Sequence, residues 1–237
     1  MAQQYEKPYC ESCENRMHSI INQLDVESVT KVSSTKGCHL YKKGQLIFEE
    51  GTRPNGIFCL HKGKVKVYKT GDQGKDHILR FAKAGEILGY RSLLRGDAYS
   101  ASAATIEDSV VCCIPQETFF ELLEADRTFL KRISRLLTLD LRQAENQMVR
   151  LAQKPVRERL AEALLALKEI YGTEDGDNSP LNISLSREDL ANMVGTVIET
   201  LVRTLAEFKR ERLIATDKKK IRILDLDGLV HVANVHD

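Results

Sequence analysis

The sequence predicts an α+β chain: an N-terminal β jelly roll of the cupin-like, double-stranded kind, one long helix, and a C-terminal winged helix-turn-helix. Three observations carry this prediction. Short β-rich runs punctuated by glycine fill residues 40–115, and a heptad-spaced apolar seam crosses residues 130–151. Between residues 186 and 224 a capped short helix, a glycine turn, a second helix and a basic hairpin follow one another.

The β-rich runs are QLIFEEG, GIFCLHKGKVKVYKTG, HILRFAKAG and SVVCCIP. Val65 and Val67 alternate with Lys64 and Lys66, the mark of a half-buried antiparallel strand. Glycines recur where turns are needed, and short strands at this spacing close into a sandwich or roll.

After Pro115 the periodicity becomes helical. Leu130, Ser134, Leu137, Leu141, Ala144, Met148 and Leu151 are spaced alternately by four and three residues, a seam with one polar break at Ser134. Charged residues flank this narrow stripe, so it predicts pairing with a second copy of the chain; the plainer alternative is packing on its own domain. Lys154-Pro155 ends or bends the helix, because proline lacks an amide hydrogen and clashes with the preceding turn. Val156–Tyr171 is a further amphipathic helix with Leu160, Leu164, Leu167 and Ile170 on one face, followed by the polar loop GTEDGDNSP.

Ser186, with Asp189 three residues on, resembles a capping box. Gly195 supplies the left-handed turn between helices, and Thr196 is the expected cap of a second helix over residues 197–212. Val197, Leu201, Leu205 and Phe208 would face its own domain. Ile198, Glu199, Val202 and Arg203 would then lie outward near the helix N-terminus, where recognition helices meet base edges. Glutamate accepts from the cytosine amino group and arginine donates twice to guanine, so the pair reads G·C steps. Ser186, Thr196, Thr200, Lys218, Lys219, Lys220 and Arg222 are the candidate phosphate contacts. The bland alternative is an exposed Glu199–Arg203 ion pair and a solvated lysine turn.

Composition bounds the function classes. The chain has 237 residues, 42% hydrophobic and 29% charged, which favours two domains. No run approaches the roughly 18 apolar residues of a membrane helix, and MAQQYEKPYCESCENR has no apolar core for export, so a cytoplasmic protein without membrane contact is expected. A net charge of +1 disfavours histone-like wrapping but allows one local basic surface. No phosphate-cradling glycine loop, nucleophile elbow or HExxH occurs, so an enzyme is not expected. His18, His39, His61, His77, His231 and His236 are scattered without metal-ligand spacing and read as surface residues.

YKKGQLIFEEG and GIFCLHKGKVKVY in the roll, the long helix, and SREDLANMVG with ETLVRTL resemble the CRP/FNR family over nearly the whole chain. The resemblance implies a sensor roll, a homodimer joined along the long helix through Leu130, Leu137, Leu141, Ala144 and Met148, and paired helices in successive major grooves of double-stranded DNA. It implies RNA polymerase as a further partner. Glu199 and Arg203 match the family residues that read a TGA half-site core; Ile198 and Val202 depart from both well-known branches, so the outer bases stay open. The division expected is a cysteine-containing segment 1–30, a sensor roll 31–125, a dimerisation helix 126–153 and a DNA-binding domain 154–237. The contrasting reading is a small-ligand or redox sensor acting through protein partners.

For the signal, the family's cyclic-nucleotide turn aligns with Gly89, Tyr90, Arg91, Tyr99 and Ser100, where the phosphate-neutralising arginine and ribose-binding glutamate are both missing. Cyclic AMP binding is therefore not expected, Arg91 or Arg95 being the only substitutes for the arginine. The oxygen-sensing branch instead holds an iron-sulfur cluster on three N-terminal cysteines and one in the roll. Cys10, Cys13 and Cys112 fit three positions; the fourth falls at Ser19, with Cys38, Cys113 or His18 as replacements. Three readings of the thiols stay open: a cluster with a shifted ligand, zinc or a reversible Cys10–Cys13 disulfide, and free thiols. Cys59 and Cys113, inside apolar strands, read as small core residues.

Overall fold

The computed structural model describes residues 3–4, 8–72, 74–174 and 179–234. His236, and residues 175–178 of the polar loop, lie outside the described residues. The chain falls into two compact units, one within residues 1–70 and 79–143, the other within 71–78 and 144–237.

In the first unit β1 (Gln3–Gln4) precedes a single 3-10 turn at Arg16–His18 and helix α1 (Val26–Thr35), which Asp25 caps through the Ser28 amide. Then follow β2 (Gly37–Tyr41), β3 (Leu46–Phe48), β4 (Gly56–Lys62), β5 (Lys64–Thr70), β6 (Asp76–Lys83), β7 (Ile87–Leu88), helix α2 (Tyr90–Arg95), β8 (Ser102–Thr105) and β9 (Ser109–Pro115). The strands form two antiparallel sheets, β1-β2-β9-β4-β7 and β3-β8-β5-β6, the double-stranded roll expected. Val65 and Val67 are buried as their alternation requires, and they pack with Phe58, Leu60, Leu88, Ala103 and Val111 between the sheets.

A second core lies on the outer side of the first sheet. Helix α3 (Gln116–Ala125) and the start of α4 (Arg127–Gln153) bring Phe119, Leu122, Phe129 and Ile133 against Ile57, Ile114, Val29 and Val32. Cys10 and Ile21 of the N-terminal segment are buried in the same cluster. Helix α4 thus uses Phe129 and Ile133 to dock on its own roll, with Leu136 and Leu137 partly covered beside them. Further along, Leu141 and Met148 are 60% and 63% exposed, so the described residues leave most of this part of the apolar stripe open. Ser134 donates its hydroxyl to the Leu130 carbonyl, which satisfies the polar break within the helix itself.

The second unit holds α5 (Val156–Tyr171), α6 (Arg187–Val194), α7 (Ile198–Arg210), the hairpin β10 (Ile214–Asp217) and β11 (Lys220–Ile223), and α8 (Leu226–Ala233). Pro155 interrupts the helices as expected and becomes the N-cap of α5. Lys154 donates from Nζ to the Ala233 and Asn234 carbonyls and pairs with Glu162 at 2.6 Å, a cation placed on the negative end of α8. On α5, Leu160, Leu164 and Leu167 are buried, but Ile170, expected beside them, is 42% exposed in the last turn.

Candidate nucleic-acid interface and the pockets of the roll

The Ser186 cap forms as the spacing predicts: its hydroxyl accepts from the Asp189 amide at 2.9 Å and donates to the Asp189 carboxylate at 2.6 Å. The one proton of this hydroxyl is thus directed to Asp189, and a phosphate contact by it would have to take that proton over. Gly195 closes α6 in the left-handed region at φ 72°, a conformation that costs other residues about 1 kcal/mol or more. Helix α7 is shorter than expected, and its N-cap is Val197 rather than Thr196, with no side-chain cap bond. Val197 is exposed and does not join the buried face.

That face consists of Leu201, Thr204, Leu205 and Phe208, all buried. A helix buried along this line turns Ile198, Glu199, Val202 and Arg203 outward, and all four are exposed. The bland alternative for the charged pair is not realised, since among the described residues neither the Glu199 nor the Arg203 side chain takes part in an ion pair or hydrogen bond. A carboxylate and a guanidinium four residues apart are thus both presented to the solvent beside two apolar side chains, with Thr200 half-buried between them.

The basic hairpin is present, with Lys218 in a positive-φ turn at 51°. Arg187 donates to the Lys218 carbonyl at 3.2 Å and ties the turn to the start of α6. Lys218, Lys219 and Arg222 are exposed. Lys220 differs from expectation: its ammonium pairs with Glu174 at 2.7 Å. Arg157 supports α7 from α5 by bonding Glu211 and lying 4.9 Å over the Phe208 ring.

In the roll, Gly89, Tyr90, Arg91, Tyr99 and Ser100 line one pocket, together with Phe48, Arg80 and Ala101. Phe48 and Tyr99 stack with ring centroids 4.1 Å apart. Tyr99 is buried with its hydroxyl unpartnered, and burial, with a contribution from nearby Cys113, pushes that hydroxyl up to about 12. The cations are engaged elsewhere: Arg80 bonds Glu86 and the Ile87 carbonyl, Arg91 stands 3.8 Å from Asp140, and Arg95 pairs with Asp97 at 2.7 Å. The two arginines that line this pocket, Arg80 and Arg91, each face a carboxylate, the kind of group a cyclic phosphate would have to replace. Tyr90, at the wall of this pocket, donates its hydroxyl to Asp140 of α4 at 2.5 Å.

A second pocket gathers Cys10, Cys13 and Cys112 as expected, and adds Cys59, Ser19, Lys36 and His61. Cys59 packs against the core as expected. It stands opposite Cys112 across β4 and β9, which only the strand register reveals. Cys10 and Cys13 are free and make no disulfide with each other; Cys112 is instead disulfide-bonded to Cys38. Cys13 Sγ lies 3.4 Å from His61 Nδ1, so His61 is no idle surface residue, and burial followed by nearby Lys36 lowers its pKa. Burial pushes the Cys59 thiol up to about 11.

Residues 38–126 match the cyclic nucleotide-binding domain model and residues 158–232 the Crp-like helix-turn-helix domain model. Those two domains in this order, on this fold, define a transcription regulator, and the chain belongs to the CRP/FNR family. It is 25% identical to the fumarate and nitrate reduction regulatory protein of Vibrio cholerae over 230 residues, covering 96% of this chain and 91% of that protein. It is 27% identical to the transcriptional activator protein anr of Pseudomonas aeruginosa over 218 residues, covering 92% and 89%. Among solved structures, a CRP/FNR-family transcriptional regulator from Thermus thermophilus superposes with a TM-score of 0.71 at 25% identity, covering 84% of this chain and all of that one. No helix among the described residues is long and apolar enough to cross a membrane.

Proposed function

We propose that this regulator binds, as a homodimer, a palindromic DNA site with TGA-like half-site cores, and that an effector or redox event in the roll controls it. The observation that carries the first half is the outward row Ile198, Glu199, Val202 and Arg203 opposite the buried row Leu201, Thr204, Leu205 and Phe208. Among the described residues the Glu199 and Arg203 side chains have no partner, and they carry the groups that read cytosine and guanine. Lys218, Lys219 and Arg222 on the hairpin supply charge for phosphates and set register without reading sequence.

Helix α4 supports the dimer. Leu141, Ala144 and Met148 lie on a stripe that this chain leaves exposed, at a spacing suited to a second helix. Two copies paired there would present two recognition helices to half-sites about one helical turn apart. The Tyr90–Asp140 bond, which joins the turn of the roll pocket to that same helix, supports the control. A ligand or oxidation event that moves Tyr90 would bias the position of α4 and so the spacing of the readers.

Fluorescence anisotropy against a palindromic TGA duplex and a scrambled duplex, over a salt series, tests the proposal. The expected result is tighter binding to the palindrome and a log–log salt slope of about −0.9 per phosphate neutralised. Equal affinity for both duplexes would favour a module that docks on protein partners.

A further inference from the structure

Helix α4 ends on a carbonyl that its own backbone does not satisfy. Within a helix the Leu151 carbonyl would accept from the amide four residues on, but that residue is Pro155, which has no amide hydrogen. Arg159, in the first turn of α5, supplies the missing donor: its Nη1 donates to the Leu151 carbonyl at 3.1 Å. Its Nη2 donates to the Gly195 carbonyl at 3.2 Å, in the turn that separates α6 from α7. One guanidinium thus spans the last turn of α4 and the glycine turn of the helix-turn-helix.

A second contact runs beside it. A Cβ on Gly195 would stand 2.6 Å from Leu151 Cδ2, so the leucine methyl occupies the space a side chain would need. Leu151 closes the heptad seam and is half-buried, whereas Ala144 and Met148 before it are exposed. Both contacts lie within the second compact unit. The bridged carbonyls belong to the C-terminal ends of α4 and α6, where partial negative charge favours a cation. Arginine suits the place because its rigid planar fork offers two acceptors a donor each, whereas a lysine ammonium is a point charge on a flexible stem. From the same turn of α5, Arg157 holds the far end of α7 through Glu211 and the Phe208 ring. The recognition helix is therefore tied to α5 at both ends, through the turn before it and through Arg157.

We infer that Arg159 is a positioning residue for palindrome recognition: by bridging the Leu151 and Gly195 carbonyls it fixes α7 against the end of α4, and so sets the spacing of the two recognition helices in a dimer. This role rests on the DNA reading and the α4 dimer proposed above. It is geometric, since both bonds of the guanidinium end on backbone carbonyls of its own chain. Binding a palindrome through two linked readers gains from avidity only where both half-sites are reached at once, and that gain disappears where the geometry is not held. A single half-site asks for α7 alone. Loss of the bridge therefore acts on the preference for spacing and spares the affinity for one half-site.

The test is fluorescence anisotropy of the full chain on a TGA palindrome with half-sites about one turn apart, on the same palindrome with its spacer lengthened or shortened by about two base pairs, on a single half-site and on a scrambled duplex. The wild type should prefer the one-turn palindrome to either altered spacer by about tenfold or more. Arg159→Ala should bring that preference down to about twofold and leave half-site affinity within about twofold of the wild type. Arg159→Lys, which keeps the charge without the fork, should fall between the two. Near-ultraviolet circular dichroism shows which variants are folded, and Arg159→Gln and Arg159→Lys carry the comparison if the alanine variant is not. A folded Arg159→Ala or Arg159→Gln variant with the spacing preference of the wild type, or one that weakens half-site and palindromes by the same factor, would overturn the inference. Wild-type binding to the half-site without any spacing preference would overturn it and leave the DNA reading in place. Half-site binding no tighter than to the scrambled duplex would remove the DNA reading, and this role with it.

Discussion

Tyr90 and Asp140 are joined by a 2.5 Å hydrogen bond from the tyrosine hydroxyl to the carboxylate, linking the pocket turn of the roll to the long helix. Burial, followed by that bond, holds the Tyr90 hydroxyl protonated well above the ordinary tyrosine range, so it stays a donor at any physiological pH. The Asp140 side chain is 12% exposed, and among the described residues Arg91, 3.8 Å away, is its one further partner. Tyr90→Phe leaves that carboxylate under-satisfied and should cost about 1–3 kcal/mol of stability, read by denaturant unfolding. It should also reduce the dependence of DNA affinity on the state of the roll. An unchanged unfolding midpoint would mean that the bond carries no weight.

Helix α4 is expected to pair with its copy through Leu141 and Met148. Placing a lysine at either exposed position costs the monomer little but sets like charges face to face in the dimer. Leu141→Lys with Met148→Lys should therefore give a folded monomer by sedimentation, with loss of palindrome binding. A variant that sediments as the wild type does would remove this helix from the interface.

Cyclic AMP should show no measurable heat of binding in calorimetry. The pocket at its expected site is lined by the stacked Phe48 and Tyr99, and its two arginines, Arg80 and Arg91, face Glu86 and Asp140. A micromolar dissociation constant would contradict this.

The acid limb of stability should carry a signature of Asp108. Its carboxylate accepts from the Lys42 ammonium and the Lys43 amide, which hold its pKa below the ordinary 3.8. A carboxylate with a depressed folded pKa contributes stability above its unfolded value and loses it as pH falls through the folded one. Asp108→Asn should flatten the decline of the unfolding midpoint below about pH 4 and leave its shape near pH 7 unchanged. A variant whose acid limb matches the wild type would assign that loss to other groups.

Much of this is legible from periodicity. The alternation at Val65 and Val67, the Ser186 box, Gly195 and Pro155 each reflect a local rule of backbone or burial, and the structure follows them. What depends on long-range pairing is not legible. Cys59 beside Cys112 requires the β4–β9 register, and Lys220 with Glu174 requires the hairpin to fold back on the loop after α5. Helices α1, α2 and α8 are too short to impose a clear period on the sequence; α2 begins inside what reads as a glycine turn. Ile170 and Val197 fit an apolar period, yet both sit at helix ends where the period outruns the buried face.

The central claim, that Glu199 and Arg203 read DNA, is tested most directly by selecting sites from a random duplex library with the wild-type chain and with Arg203→Ala. The wild type should enrich palindromes with TGA cores about one turn apart. Arg203→Ala should lose roughly 1–3 kcal/mol of specific binding and relax the guanine position, while Lys219→Ala weakens all sequences alike. A library that emerges unenriched, or an Arg203→Ala variant that selects the same core as the wild type, would contradict it.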